Sequence, residues 1–166
     1  LKHGMDKQIA TFDIVVRDMP LHRNFLLFGG LEEIVDGILG WHYSKKDIDY
    51  LKYLKLIDVP TEKYLSNFKF TGDVWAMPEG TPFFNGEPVI RITAPLLEAN
   101  LISMFLLNTP IAHTLFLSKI IRVVLAVKDK VLVTGCGLRS QSYESGIKAY
   151  RSAHIVGAKS AIVSAH

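Results

Sequence analysis

What the chain lacks already narrows its class. It has a single cysteine, Cys136, which excludes an internal disulfide and indicates a reducing compartment, with the cytoplasm as the default. Its 19 Lys and Arg residues are spread along the chain and the formal net charge is only +3, so we expect no nucleic-acid partner. The first residues are too polar for a signal peptide. Position 1 is not methionine, and we expect the chain to be part of a longer protein.

Asp, Glu, Lys and Arg are all absent from one long stretch, residues 101–118. A membrane-spanning helix needs about 20 mainly apolar residues, and this stretch is interrupted by Asn108-Thr109-Pro110. We therefore predict two buried helices, 95–107 and 111–127, that form a hairpin, and no membrane partner. His113 is expected to be a core histidine with its hydrogen bonds satisfied.

Composition and local patterns indicate one real core with mixed helix and strand content. The chain has 166 residues, of which 49% are hydrophobic, and domains of about 100–200 residues are typical. Residues 9–17 are rich in β-branched and aromatic side chains and predict a strand. Residues 25–28 are a candidate partner for that strand, and residues 89–92 predict another strand.

Three short helices are predicted before residue 70. Residues 31–39 place hydrophobic side chains on one helical face, and Gly40 is a typical helix end. Ser44 and Asp47 have the spacing of a capping box at the start of a second helix. Thr61 is the predicted cap of the third.

The C-terminal part has the order of a parallel α/β unit. Residues 130–134 predict a strand, residues 141–156 a helix, and Ile162 the start of a second strand. Loops at the carboxyl ends of parallel strands commonly build binding sites. Arg139 lies in such a loop and could bind a phosphate or carboxylate through two hydrogen bonds. The residues alone leave open whether it does so or is a surface arginine on a plain connection.

An ordered set of motifs carries a family resemblance. The set resembles the N-terminal region of nicotinate phosphoribosyltransferases, and similar segments at 12–20, 27–32 and 136–139 extend the resemblance over nearly the whole chain. The ordered motifs are Phe70-Thr71-Gly72-Asp73-Val74, Glu79-Gly80, Glu87-Pro88 with Arg91, and Ala94-Pro95-Leu96-Leu97-Glu98-Ala99.

The resemblance implies a fold and an activity. It implies an α+β N-terminal domain with a helical hairpin, residues 1–128, leading into an incomplete α/β barrel of the type II phosphoribosyltransferase kind, of which residues 129–166 are the first strand–loop–helix units. The implied enzyme forms nicotinate mononucleotide and pyrophosphate from nicotinate and phosphoribosyl pyrophosphate in NAD salvage. ATP is the implied co-substrate, Mg²⁺ the cofactor and a homodimer the assembly. Since the family's phosphohistidine would lie beyond His166, we expect this chain alone to be inactive.

The resemblance also implies site residues. Arg139 would contact the anionic substrate, with Gly137, Cys136 and Ser160 in the same substrate site; no catalytic residue is assigned. Cys136 stands where relatives usually carry an aromatic ring, and Ser140 where many bacterial members have a second arginine. Two alternatives remain open: an enzyme that uses nicotinamide or quinolinate, and a non-catalytic remnant that acts in assembly.

Overall fold

The computed structural model describes residues 4–127, 133–134, 142–158 and 160–161. A short 3-10 turn (Met5–Lys7) precedes twelve labelled elements. In chain order these are β1 (Ile9–Val15), β2 (Leu26–Leu27), α1 (Leu31–Leu39), α2 (Lys45–Tyr53), α3 (Val59–Ser66), β3 (Asp73–Ala76), β4 (Pro82–Phe83), β5 (Pro88–Pro95), α4 (Leu96–Val127), β6 (Val133–Thr134), α5 (Tyr143–Ile155) and β7 (Ser160–Ala161).

The N-terminal strands form two small antiparallel sheets. The larger has the strand order β1-β5-β3, with Ile92 at its centre opposite Phe12 on one side and Val74 on the other. From Ile90 onward, β5 alternates buried with less buried side chains, and the buried ones supply the inner face. The predicted strands in residues 9–17 and 89–92 are therefore confirmed. The suggested pairing of residues 25–28 with β1 is wrong, because β2 pairs with β4 instead.

Local sequence signals set the ends of α1 and α2. Gly40 is the C-terminal cap of α1, directly after its last residue, so the predicted end of this helix is confirmed. The Ser44 side chain accepts a hydrogen bond from the Asp47 backbone N–H, and the Asp47 carboxylate accepts one from the Ser44 N–H at 2.8 Å. The predicted capping box is confirmed, with Asp in place of the usual Glu.

The cap of α3 differs from the prediction. Asp58, not Thr61, is the N-terminal cap, and its carboxylate accepts hydrogen bonds from the Thr61 backbone N–H at 3.0 Å and the Thr61 hydroxyl at 2.5 Å. The helix begins at Val59, and Pro60 lies in its first turn, where its missing N–H costs nothing. Thr61 is thus a donor to the cap.

The two helices predicted at 95–107 and 111–127 are a single helix. α4 runs without interruption from Leu96 to Val127 and contains Pro110; at 1.5 Å per residue it is about 48 Å long. Pro110 and its neighbour Thr109 are both buried, so packing offsets the cost of the missing hydrogen bond. Among the described residues, α4 is the helix whose length and composition would allow it to cross a membrane, and 28% of its most apolar 18-residue stretch is buried against the rest of the fold.

The core lies between α4, α1 and the inner face of the larger sheet. Burial of an Ile or Phe side chain stabilises a fold by roughly 1.5–3 kcal/mol, and tight packing fixes which elements are neighbours. Trp41, after α1, packs on Phe105 of α4 with ring centroids 5.4 Å apart. Fully buried members of the core are Phe28, Ile34, Phe83, Ile90, Ile102 and Leu106.

The C-terminal elements form a parallel unit. β6 and β7 pair in parallel, and α5 lies between them in sequence. The predicted order of strand, helix and strand is confirmed, although β7 begins at Ser160 rather than at Ile162. The predicted loop at 135–140 lies outside the described residues. The chain thus combines helices with antiparallel and parallel strands, while the division at residue 128 stays a prediction.

We expect Asp58→Ala to destabilise the protein by about 1 kcal/mol, because the N–H of Thr61 loses its capping acceptor. Asp58→Asn should remain close to wild type, since Asn caps about as well as Asp. The measurement is urea denaturation followed by circular dichroism. If Asp58→Ala matches wild type while Thr61→Val is destabilised, the assignment of the cap to Asp58 is wrong.

Candidate functional site

The pairing of β6 with β7 locates one of the predicted substrate residues, Ser160. Val133 of β6 is in register with Ser160 of β7, and Thr134 with Ala161. Ser160 therefore lies at the first position of its strand, level with a residue two positions before Gly135. The other predicted site residues, Cys136, Gly137 and Arg139, lie outside the described residues, so their roles stay predictions.

The amino-terminal turn of α5 follows directly after that segment. Ser142 caps the helix: its hydroxyl accepts a hydrogen bond from the Ser145 backbone N–H at 3.2 Å. Tyr143 at the first helical position is 80% exposed. The start of a helix offers free N–H groups and the positive end of the helix dipole, both of which favour anions. The first turn of α5 therefore favours a nearby phosphate or carboxylate.

The carboxyl-terminal half of α5 is held by a cluster of charged side chains. The guanidinium of Arg151 donates from Nη1 and Nη2 to the two carboxylate oxygens of Glu79, at 2.9 and 2.5 Å. It also donates from Nε and Nη2 to Glu32 Oε2 at 3.0 and 2.6 Å. Arg151 thereby connects α5 to α1 and to the turn before β4.

Glu79 has a second role at the start of α1. Its Oε1 accepts hydrogen bonds from the backbone N–H groups of Gly30 at 2.5 Å and Leu31 at 3.0 Å. Gly30, the N-terminal cap residue, has no side chain to cap the helix and adopts a φ of 96°, which glycine tolerates best. The carboxylate from a distant turn therefore replaces a local cap.

A second ion cluster lies one turn earlier on α5. Glu33 of α1 accepts from Lys148 Nζ at 2.9 Å through Oε1 and contacts His113 Nε2 at 2.7 Å through Oε2. His113 is 1% exposed, which confirms the prediction that it lies in the core. The prediction that its hydrogen bonds are satisfied is wrong for Nδ1, which has no hydrogen-bond partner among the described residues.

The clusters change the pKa values of their members. Burial alone would raise the pKa of Glu79, but hydrogen bonds from Arg151 and from the Gly30 backbone outweigh it and hold that pKa below its ordinary value. Burial would also raise the pKa of Glu33, but hydrogen bonds with His113 and Lys148 outweigh it, so the pKa of Glu33 is lowered as well. Hydrogen bonding to Glu79 raises the pKa of Arg151. All three groups stay charged at neutral pH.

Sequence reasoning missed these clusters. In the sequence Glu79 stands out only as part of the Glu79-Gly80 motif, because its partners Gly30 and Arg151 lie 49 and 72 residues away. One local signal existed: Lys148 and Arg151 are three positions apart and so share a face of α5. Within the part of the chain that the structure describes, no group of three or more His, Cys, Asp or Glu side chains could hold a metal ion.

Comparison with known proteins connects this arrangement to a family. Residues 1–109 match the family model of the nicotinate phosphoribosyltransferase N-terminal domain. A nicotinate phosphoribosyltransferase of Mycobacterium tuberculosis is 32% identical over 149 residues, which cover 90% of this chain and 32% of that protein. The Bacillus subtilis enzyme of the same name is 30% identical over 156 residues, covering 94% of this chain and 32% of the relative.

Solved structures agree on the fold. The crystal structure of human nicotinic acid phosphoribosyltransferase matches 96% of this chain and 33% of its own, with a TM-score of 0.88 and 24% identity. A nicotinate-nucleotide pyrophosphorylase from Pyrococcus furiosus matches with a TM-score of 0.69 and 20% identity, covering 92% of this chain and 32% of its own.

The family model covers well over half of the chain, and the relatives extend the match through α5. The chain therefore belongs to the nicotinate phosphoribosyltransferase family. It spans about a third of the length of the curated relatives named here.

Lowering the pH should weaken the contact between Glu79 and its donors. A carboxylate with a lowered folded pKa contributes stability that is fully present above its unfolded value, 4.5, and is lost as the pH falls through the folded pKa. We expect Glu79→Gln to reduce the urea midpoint at pH 7 and to lose less stability than wild type between pH 5 and pH 3. Asp36→Asn, an exposed carboxylate on α1, is the control. If wild type and Glu79→Gln lose the same stability between pH 5 and pH 3, the stabilising role assigned to the Glu79 carboxylate is wrong.

Proposed function

We propose that the protein to which this chain belongs is a nicotinate phosphoribosyltransferase. It transfers ribose 5-phosphate from phosphoribosyl pyrophosphate to the ring nitrogen of nicotinate, giving nicotinate mononucleotide and pyrophosphate for NAD salvage. The observation that carries the proposal is the match to enzymes of that name at 30–32% identity across at least 90% of this chain.

The chemistry explains what this chain would contribute. Transfer passes through a cationic, oxocarbenium-like sugar, so the protein must fix the anionic groups of both substrates and align the ring nitrogen with the reacting carbon. Arg139 would bind a substrate phosphate or carboxylate, assisted by the first turn of α5. Gly137 would let the backbone approach closely, while Cys136 and Ser160 would line the same substrate site. No covalent nucleophile is needed from these residues.

Mg²⁺ and ATP belong to the proposed reaction of the whole protein. Mg²⁺ commonly stays partly hydrated and binds through one or two carboxylates together with substrate phosphates. The described residues do not form a dedicated ligand set, so we assign no metal ligand among them and derive no step through the ion. ATP would be used by residues beyond this chain, as the family resemblance implies.

We also propose that the intact protein is a cytoplasmic homodimer. The curated relatives are named as metabolic enzymes, and a chain with one cysteine suits a reducing compartment. One side of α4 leaves apolar side chains exposed, Met104, Leu107, Ile111 and Leu115 among them. Such a stripe offers surface for subunit contact, and light scattering of the intact protein measures the assembly directly.

The alternatives are less well supported. The pyrophosphorylase from Pyrococcus furiosus matches at 20% identity, so that likeness concerns the fold alone. A non-catalytic remnant would explain the departures at Cys136 and Ser140, whereas the curated relatives reported above are named as enzymes.

The experiment that tests the proposal combines intact mass with an assay of the purified protein. Phosphoribosyl pyrophosphate is supplied with nicotinate, nicotinamide or quinolinate, with and without ATP, and mononucleotide formation is measured. We expect a mass well above 18.6 kDa and product from nicotinate. If only nicotinamide or only quinolinate gives product, the substrate assigned here is wrong. A mass of 18.6 kDa without product would overturn the proposal as a whole.

Arg139→Ala in the intact protein tests the proposed substrate contact. If Arg139 makes a buried two-point bond to an anionic group, its loss should weaken substrate binding by about 2–4 kcal/mol, because the anion is left unpaired. Steady-state kinetics with both substrates provides the measurement. Arg122→Ala, which removes an exposed arginine of α4, is the matched control. Unchanged KM and kcat for both substrates in Arg139→Ala would remove Arg139 from the site.

A further inference from the structure

Two cationic side chains hold the same face of α5. Lys148 and Arg151 are three residues apart, so they lie one above the other on the helix. Their carboxylate partners, Glu33, Glu32 and Glu79, all come from α1 or from the turn before β4. Every one of these ion pairs therefore crosses from the N-terminal elements to α5.

The Arg151 contact is stronger than an ordinary surface ion pair. A planar guanidinium that binds a carboxylate through two parallel hydrogen bonds fixes direction as well as distance. The Glu79 side chain is only 18% exposed and that of Arg151 is 29% exposed, so water screens the contact less than at a free surface. Since Glu79 also accepts two backbone N–H groups of α1, its own position is fixed.

The turn that carries Glu79 is fixed in the same way. The Gly80 backbone N–H donates to the Phe28 carbonyl at 2.8 Å, and the Phe28 N–H donates to the Thr81 carbonyl at 3.0 Å. Gly80 has a φ of +82°, and a β-carbon added there would lie 3.8 Å from Ile155 Cγ2. The end of α5 therefore lies directly over a turn bonded to β2.

Small buried residues complete the contact on the neighbouring side of α5. Ala149, Ser152 and Ala153 are at most 2% exposed, which allows α5 to pack closely against α4. Close packing restricts sliding and rotation of a helix, while the Arg151 fork restricts its tilt. Together they hold the carboxyl-terminal half of α5 in one orientation.

We propose that Arg151 is a positioning residue, whose contact with Glu79 and Glu32 sets the place of the amino-terminal turn of α5. The inference rests on the proposed function for its kinetic consequence, since that turn follows the segment carrying Arg139. Ser142 is nine positions before Arg151, about 13 Å along a helix. A change in the tilt of α5 at the contact of Arg151 with Glu79 and Glu32 therefore displaces the first turn of the helix, although Arg151 lies far from that turn.

Hydrogen exchange of the intact protein tests the structural part without any substrate. In Arg151→Gln we expect the amides of residues 145–148 at the start of α5 to exchange faster than in wild type. Arg91→Gln is the matched control, because Arg91 also binds a carboxylate through two bonds, to Asp13 at 2.7 and 2.8 Å, but within the antiparallel sheet. That control should leave the exchange of α5 unchanged.

Kinetics of the same variants test the functional part. A misplaced first turn should raise the KM for nicotinate or phosphoribosyl pyrophosphate and lower kcat/KM by about 10- to 100-fold. A merely structural role would reduce the amount of active enzyme and leave KM unchanged. Arg151→Lys keeps the charge without the fork, so we expect an intermediate KM; it also serves as the test variant if Arg151→Gln fails to fold.

The outcomes separate the two proposals. An active wild type with unchanged exchange at the start of α5 and unchanged KM in both Arg151 variants would overturn the positioning role. A wild type that makes no mononucleotide, but shows the exchange difference in Arg151→Gln, would overturn the proposed function and support the positioning role.

Discussion

The fold depends on one partly buried carboxylate. Glu79 needs donors because burial without hydrogen bonds would cost several kcal/mol, and it finds them on two different elements: the backbone N–H groups at the start of α1 and the guanidinium of Arg151. The same oxygens therefore cap one helix and anchor another. Because both contacts need the charged form, the lowered pKa of Glu79 is a direct expression of this constraint.

The second constraint is the close approach of α4 to the glycine pair before α1. A β-carbon at Gly29 would collide with the buried Leu117 side chain and force it to shift. One at Gly30 would lie 2.9 Å from His113 Cδ2, at a φ of +96° that side-chain-bearing residues rarely adopt. The Thr114 hydroxyl accepts a hydrogen bond from the Gly29 backbone N–H at 3.3 Å, and the Ser118 hydroxyl accepts one from the Leu27 N–H at 2.8 Å. Polar residues on an otherwise apolar helix thus satisfy backbone groups of the neighbouring chain segment.

Features that depend on neighbouring residues can be inferred from the sequence, whereas features that depend on distant contacts cannot. The capping box at Ser44 and the end of α1 at Gly40 are local, and the residue types alone predict them. The break predicted at Pro110 is wrong because Pro110 is buried inside α4, with Gly30, 80 positions earlier, close to its backbone. The Arg151 cluster has the same origin: residue types mark its members as charged, but only the fold brings Glu32, Glu79 and Arg151 together.

Holding α5 at its far end suits the chemistry proposed for this family member. Ordering a loop around an anionic substrate costs roughly 1–2 kcal/mol of backbone entropy per residue, and that cost falls when one end of the loop is already fixed. The start of α5 is such an end, because Ser142 caps it and the ion pairs at Lys148 and Arg151 hold the helix behind it. A lysine in place of Arg151 would keep the attraction to Glu79 but would lose the two parallel hydrogen bonds that fix the direction of the contact. The precision of the proposed anion site is therefore expected to depend on geometry that the N-terminal elements supply.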